Sequence, residues 1–409
     1  MLTAEKRQIN TARESAAVSS DHALRDETSL PVVFAVTQSG KQANGGVASI
    51  TAVLQRLRGV KATVVTQTET PANVSWQNAG CKVQVWKTAE ENLKIGSALR
   101  TNLRMFRLLR ASGCRVVHCN DISAVWNTAF GARLAGAAVI FNVRNIKPEG
   151  KRYGWRWWVA RKVSNRQLLL SREMQDSFVS RLHVKNGDGP KIEFIYSAVD
   201  PVRFSPVDGP GRSELRRRLG IEAGCFAIGY IAPFGERKAQ LEFIKEAGPL
   251  LKRMLPRARV YFVGDFAPAH NDYAKRCVDA TRQLDLEDSM TFVGYTSEVA
   301  DWYRALDLVV VASRNEGLAR CMIESLACGT PVVSFAVCSA REILEENVCG
   351  LVVANGDYPK LVEQIATLAK EREVRADFAK RGVTLVGQLF DPETVAAKYR
   401  KLYLSLNRH

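Results

Sequence analysis

No apolar run in this 409-residue chain reaches the roughly 18 residues that a membrane-crossing helix needs. The longest runs, at 306–312 and 226–232, are stopped by charge, proline or glycine. Histidine is scarce, at five residues, so the usual general base is nearly missing. The nine cysteines are scattered and form no C-x-x-C pair. They read as reduced cytosolic thiols packed as small apolar groups, which excludes a disulfide framework. No D-x-D sequence occurs, so no catalytic metal is expected. The first 28 residues mix charge with alanine and serine and lack an apolar signal core. They read as a disordered polar arm and speak against secretion. No period of 20–50 residues repeats.

What is present suits a globular protein of two or three domains. Hydrophobic residues make up 46% and charged residues 24%. The net charge is +16, and it is lopsided: residues 1–200 carry +14 and the remainder +2. Folding does not require that bias, whereas an anionic partner would explain it.

Short β-branched runs alternate with helical patterns along the chain. Strands are expected at 32–37, 62–66, 115–119, 138–143, 167–171 and 191–196, with helices at 45–58, 93–109 and 124–134. Residues 197–211 hold three prolines and two glycines, which is linker chemistry. Alternation then resumes, with strands at 226–231, 259–263, 290–292, 308–311, 332–335 and 351–353. Helices are expected at 238–255, 270–284 and 392–406. The fold class is α/β. Two doubly wound Rossmann-like domains, at 29–203 and 204–385, face a central cleft, and a helix at 386–409 follows them. Ligands of such sheets bind beyond the carboxyl ends of the strands, so the cleft is the expected site.

One stretch concentrates chemistry. After the strand at 308–311 the chain turns at Glu316-Gly317, opens a helix near Ala319 and stops it at Gly329. A helix amino terminus presents unpaired N–H groups and partial positive charge, which suits a diphosphate. Glu316 precedes the helix and Glu324 lies inside it, roughly 10 Å away at 1.5 Å per helical residue. Two carboxylates flanking a phosphate position match the sugar and ribose hydroxyls of a nucleotide sugar. Alone, two glutamates eight apart more often mark a dipole complement and a solvated helix face.

Their surroundings carry more. The segment from Glu316 to Glu324, with its flanks at 309–314 and 327–334, resembles the E-x7-E frame of glycosyltransferase family 4. Phe292-Val293-Gly294-Tyr295, Val263-Gly264 and the segment 195–204 resemble further parts of that family. The resemblance runs from about residue 31 to 405. It implies a GT-B fold and retaining sugar transfer without a dedicated protein base. By the same resemblance Glu316 contacts the transferred sugar, Glu324 the ribose, and the backbone of Gly317, Leu318 and Ala319 the phosphates. Lys238 neutralises the leaving diphosphate, and Gly294 and Tyr295 line the base pocket. Gly45-Gly46 resembles the family's first loop, where bare backbone approaches a phosphate. An arginine usual before the lysine is replaced by Pro233, which leaves Arg237 to substitute. Cys338-Ser339 stands where Gly-Gly is common, and Ser197-Ala198 replaces Asn-Gly.

The acceptor side departs further. Residues 116–121 resemble the family's V-H-x-H-D segment, with His118 in the first histidine position and Asn120 in the second. Residues 141–145 resemble a T-x-H strand end, with Arg144 for histidine. His118 reads as a satisfied core residue. Asn120 and Arg144 are left to hold the acceptor's hydroxyls or a phosphate.

Much of the positive charge falls on two stretches. Arg100, Arg104 and Arg107 form a helical stripe, continued by Arg110, beside an apolar face of Leu99, Leu103, Phe106 and Leu109. Residues 151–162 set Trp155, Trp157 and Trp158 among five basic residues. Arginine with tryptophan suits an anionic headgroup layer, and no nucleic-acid motif is present. The leading expectation is a hexosyltransferase using a nucleotide-diphosphate sugar and no cofactor. It would act on a lipid-linked or glycan acceptor in surface polysaccharide or lipopolysaccharide synthesis, peripheral to the inner face of the cytoplasmic membrane. A sugar-nucleotide epimerase or hydrolase of the same fold is one alternative. A catalytically silent membrane-binding protein is the other.

Overall fold

A computed structural model describes residues 29–38, 45–86, 95–146, 153–181, 191–346 and 348–407. The arm expected at 1–28 lies outside them, as do Lys151 and Arg152 of the second basic stretch.

The first sheet has seven parallel strands: β1 (Leu30–Val36), β2 (Val60–Thr66), β3 (Lys82–Val85), β4 (Val116–Cys119), β5 (Ala138–Asn142), β6 (Arg166–Leu169) and β7 (Lys191–Phe194). Their order is β3-β2-β1-β4-β5-β6-β7. The second sheet has six: β8 (Phe226–Ile231), β9 (Ala258–Val263), β10 (Met290–Gly294), β11 (Leu308–Val311), β12 (Val332–Phe335) and β13 (Gly350–Val353), in the order β10-β9-β8-β11-β12-β13. Central strands such as Val309-Val310-Val311 are covered on both faces, which is why they read as unbroken β-branched runs. The two doubly wound sheets are those the alternation predicts. Among the elements it does not name are β3, only four residues long, and the short polar helix Pro71–Asn78.

In each sheet the strand order reverses once, between β1 and β4 and between β8 and β11. A crevice opens at such a reversal because the two connections leave in opposite directions. Helix α1 (Gly45–Leu54) follows β1, and Asn120 follows β4. The turn Glu236–Lys238 follows β8, and Glu316 follows β11. Every candidate loop around the expected diphosphate therefore stands at a reversal.

On the first sheet, α2 (Ile95–Ser112) packs along α3 (Ile122–Leu134), and α3 packs against α4 (Trp155–Val163). Asp121 caps α3 by accepting from the Ala124 N–H at 2.8 Å. Next comes α5 (Arg172–Arg181). In the second domain α6 (Arg320–Ala327) follows the Glu316 loop. The last helix, α7 (Pro392–Leu406), returns to the first sheet and buries Tyr399, Leu402 and Tyr403 against Phe34 and Ile140. The Val199 N–H donates to the Phe390 carbonyl at 2.9 Å, so the two crossings between domains run side by side.

The amphipathic reading of α2 needs correction. Its buried face is Thr101, Asn102, Met105 and Leu109, whereas Leu99 and Leu103 are exposed. Asn102 is drawn inward by polar work: its Oδ1 accepts from the Gly131 N–H at 2.9 Å, and its Nδ2 donates to the Trp126 carbonyl at 3.0 Å. Satisfied hydrogen bonds make a buried asparagine tolerable on that face.

Candidate active site

Glu316 is buried, at 4% exposure. Lys238 Nζ reaches its Oε1 at 2.5 Å and Arg237 Nη1 its Oε2 at 2.8 Å. Burial pushes the Glu316 carboxyl up, but the two cations outweigh it and hold the pKa below the ordinary glutamate value. Lys238 does not begin a helix, as the periodicity suggested. It ends a 3-10 turn, and Ala239 follows in a left-handed conformation at φ 56° before the helix resumes at Gln240. The Tyr230 hydroxyl donates to the Lys238 carbonyl and fixes that turn.

Glu324 faces inward. Its Oε2 accepts from the Tyr303 hydroxyl at 3.2 Å, and its Oε1 from Arg320 Nε at 2.9 Å and Nη2 at 2.8 Å. Arg320 also donates to the Ala198 carbonyl at 3.1 Å, near the crossing between domains. Gly45 gives it room, since a Cβ there would stand 2.5 Å from Arg320 Cδ. Gly317 is pressed as closely, because its Cβ would meet the Arg144 carbonyl oxygen at 2.3 Å. Glycine at these two points lets the domains approach. Neither Arg320 nor Tyr303 was singled out from sequence. The spacing from Arg320 to Glu324 is one helical turn, a legible signal for the arginine. Tyr303 sits on a different helix and gave none.

Leu318 and Ala319 are buried at the start of α6, with Ala319 as its extended N-cap residue. No capping side chain occupies that end, so its amides are available to an anion. Gly294 closes β10 at φ 84°, and Tyr295 beyond it is exposed. No described side chain joins Tyr295 to the glutamate cluster.

On the first sheet Arg144 and Asn120 come together. Arg144 Nη2 donates to Asn120 Oδ1 at 2.5 Å and to the Gly46 carbonyl at 3.2 Å, and its Nε donates to the Asn120 carbonyl at 3.2 Å. All three acceptors are uncharged. Burial, with Arg320 nearby, brings the Arg144 pKa down to about 10. The Gly46 carbonyl thus faces a cation. His118 is fully buried, stacked on Phe34, with Nδ1 2.8 Å from the Tyr403 hydroxyl. It is less satisfied than expected, because Nε2 has no partner among the described residues. Burial and then Arg144 push its pKa down to about 3, so it is a neutral core group and no base.

The exposed surface of α2–α4 carries Arg100, Arg104 and Arg107 with Leu99, Leu103, Leu134, Trp155 and Trp158. Trp155 is 67% exposed and Trp158 63%. Trp157 departs from the expectation. It is half-buried among Phe141, Tyr153 and Phe178, with ring centroids 4.9 to 6.3 Å away. One helical turn cannot present three adjacent large rings to the same side, so the middle one packs inward. Among the described residues no cluster of three His, Cys, Asp or Glu side chains could hold a metal, and no helix is long and apolar enough to cross a membrane.

Residues 211–384 match the family model for glycosyl transferases group 1. That span covers β8 to β13 and both glutamates. A D-inositol 3-phosphate glycosyltransferase of Kribbella flavida is 27% identical over 218 residues, 51% of each chain. The lipopolysaccharide core biosynthesis mannosyltransferase LpsB of Rhizobium meliloti is 26% identical over 216 residues, 52% of this chain and 61% of that one. The chain therefore spans about half the length of the curated relatives it matches. Anabaena HepE, solved in complex with UDP-glucose, superposes with a TM-score of 0.77 at 20% identity, covering 92% of this chain and 100% of that one. The likeness establishes the GT-B fold.

Proposed function

We propose that this chain is a retaining glycosyltransferase of family 4. It moves a hexose from a nucleoside-diphosphate sugar to a lipid-linked glycan during surface polysaccharide or lipopolysaccharide assembly. One observation carries the reading: a buried carboxylate, Glu316, gripped by Lys238 and Arg237 immediately before the open amide end of α6. Glu316 accepts hydrogen bonds from the transferred hexose, and Glu324 from the ribose. The amides of Gly317, Leu318 and Ala319 take the phosphates. Lys238 shifts part of its charge from Glu316 to the leaving diphosphate as negative charge develops there. The departing phosphate oxygen accepts the acceptor hydroxyl's proton on its own face. The new bond therefore keeps the old anomeric configuration, and neutral His118 is no obstacle. Asn120 and Arg144 position the acceptor. The named activities of the two relatives, and the UDP-glucose held by HepE, agree with this donor class.

The test is a thermal-shift panel of UDP, GDP and ADP sugars, because ligand binding to the native state raises apparent stability. The best donor is then followed for nucleotide release with and without glycan acceptor, in EDTA, with the product anomer read by NMR. Release that needs no acceptor points to the epimerase or hydrolase. No shift from any nucleotide sugar sinks the donor site.

The acceptor reading includes an anionic bilayer at the inner face of the cytoplasmic membrane. Its support is the exposed set of Arg100, Arg104, Arg107, Trp155 and Trp158 on adjacent helices of the more basic half. Aromatic rings seat at the headgroup level while arginines meet the phosphates. Flotation on vesicles with and without phosphatidylglycerol decides it, and equal recovery on neutral vesicles counts against the charge.

A further inference from the structure

Ser339 is the buried residue that the donor-site chemistry leaves unexplained. It has a left-handed backbone, φ 73°, and no exposure. A side chain is costly in that conformation unless something holds it. Its hydroxyl donates to the Gly317 carbonyl at 2.7 Å. Having spent its only proton there, it must accept from Ser171 Oγ, which lies 2.6 Å away on the other domain. Ser171 in turn accepts the Met174 N–H at 3.0 Å at the start of α5. The directions are thus fixed: Ser171 to Ser339 to Gly317.

Glu342, one helical turn on, joins the same helix end. Its carboxylate accepts from the Arg172 N–H at 3.2 Å, the Glu173 N–H at 2.6 Å and the Tyr196 hydroxyl. Glu173 returns the contact by accepting from the Glu342 N–H at 3.4 Å. Each domain therefore caps a helix of the other.

We propose that Ser339 is a positioning residue, which ties closure of the two domains to the orientation of the phosphate-binding loop. The Gly317 carbonyl and the Leu318 N–H belong to one planar trans peptide and point opposite ways. Anchoring the carbonyl on Ser339 turns the N–H away from it, to the side on which the donor reading puts the diphosphate. Because Ser339 takes its own proton from Ser171, the anchor is complete only when the domains meet. The inference rests on that donor reading.

UDP, GDP and ADP are titrated calorimetrically into the wild type, and the tightest is carried into S339A, S339G, S171A and S171T. Losing the hydroxyl chain weakens affinity about fivefold in S339A, S339G and S171A. S171T keeps a hydroxyl and retains affinity. Glycine relieves the left-handed strain, so S339G melts no lower than S339A although it binds as poorly. Small-angle scattering without nucleotide then registers a larger radius of gyration in S171A and S339A than in wild type. Wild-type affinity in both Ser339 variants overturns the relay while leaving the donor site standing. If none of the three nucleotides binds the wild type, the donor reading falls and takes the relay with it.

Discussion

The two sides of the cleft solve opposite electrostatic problems. On the second domain both glutamates of the candidate site have cations: Glu316 has Lys238 and Arg237, and Glu324 has Arg320. On the first domain Arg144 is hydrogen-bonded, among the described residues, to uncharged oxygens, and His118 beside it is kept neutral. A charge removed from water needs a partner or an incoming ligand. On the proposed reading the donor side is a compensated set whose pairs would be exchanged when an anion arrives. On the same reading the first-domain side supplies positive charge for binding rather than a histidine base.

The comparison breaks first at Glu316. Glu316→Gln keeps the shape and removes the charge, leaving Lys238 and Arg237 without a counter-ion. Turnover of the nucleotide sugar should fall about a thousandfold, equivalent to about 4 kcal/mol, which is the scale of breaking a buried pair. A kcat/KM within tenfold of wild type would remove Glu316 from the donor site. Its depressed pKa gives the sign with pH. The pair contributes fully above the ordinary glutamate range, about pH 4.5. The contribution is lost only as pH falls through the lower folded value.

His118 sharpens the other half. Its folded pKa of about 3 lies below the ordinary histidine value of 6.5, so the unfolded chain binds a proton that the native core refuses. No penalty exists above about pH 6.5. As pH falls towards 3, stability declines by up to about 1.4 kcal/mol per pH unit. The measurement is the difference in urea unfolding between wild type and His118→Phe at pH 7 and pH 4.5. The variant's stability should fall less, by about 2 to 3 kcal/mol across that interval. Parallel pH profiles would mean that His118 is protonated in the folded state.

How far sequence carried each half follows from the same physics. The second domain was legible because its site is local: Glu316, the helix start and Glu324 fall within nine residues, and Gly329 and Pro331 punctuate the ends. The first domain's site is assembled from four separate stretches. Gly46, Asn120 and Arg144 meet through strand order, and Tyr403 reaches His118 through the return of α7. Periodicity fixes which residues enter a sheet, not which loops its order brings together. Trp157 was misplaced for a related reason, since exposure of a ring depends on the neighbouring strand and helix. The Ser171–Ser339 contact, 168 positions apart, left no mark a single sequence could carry.

Arg144 offers a more graded test. Arg144→Met removes the cation and leaves the Asn120 and Gly46 carbonyls to water. The acceptor KM should rise about tenfold to a hundredfold, the scale of losing charge-assisted hydrogen bonds. The donor KM should move less than threefold, because among the described residues the Arg144 side chain hydrogen-bonds Asn120 and Gly46 rather than Glu316, Glu324 or Lys238. An effect confined to the donor would place Arg144 on the diphosphate and merge the two halves that are here kept apart.

The smallest effects belong to the outer face. Trp155→Ala and Trp158→Ala remove rings already exposed, so each should shift folding stability by no more than about 0.5 kcal/mol. Their consequence is expected on vesicles containing phosphatidylglycerol. There each lost ring lowers the recovered fraction a fewfold, and glutamine at Arg100, Arg104 and Arg107 flattens the dependence on anionic lipid. Activity on a short water-soluble acceptor should stay at the wild-type level in all of these variants. Bilayer docking and the sugar-transfer cleft would then be separate devices. A fall in that activity, with vesicle binding intact, would instead make the aromatic face part of acceptor recognition.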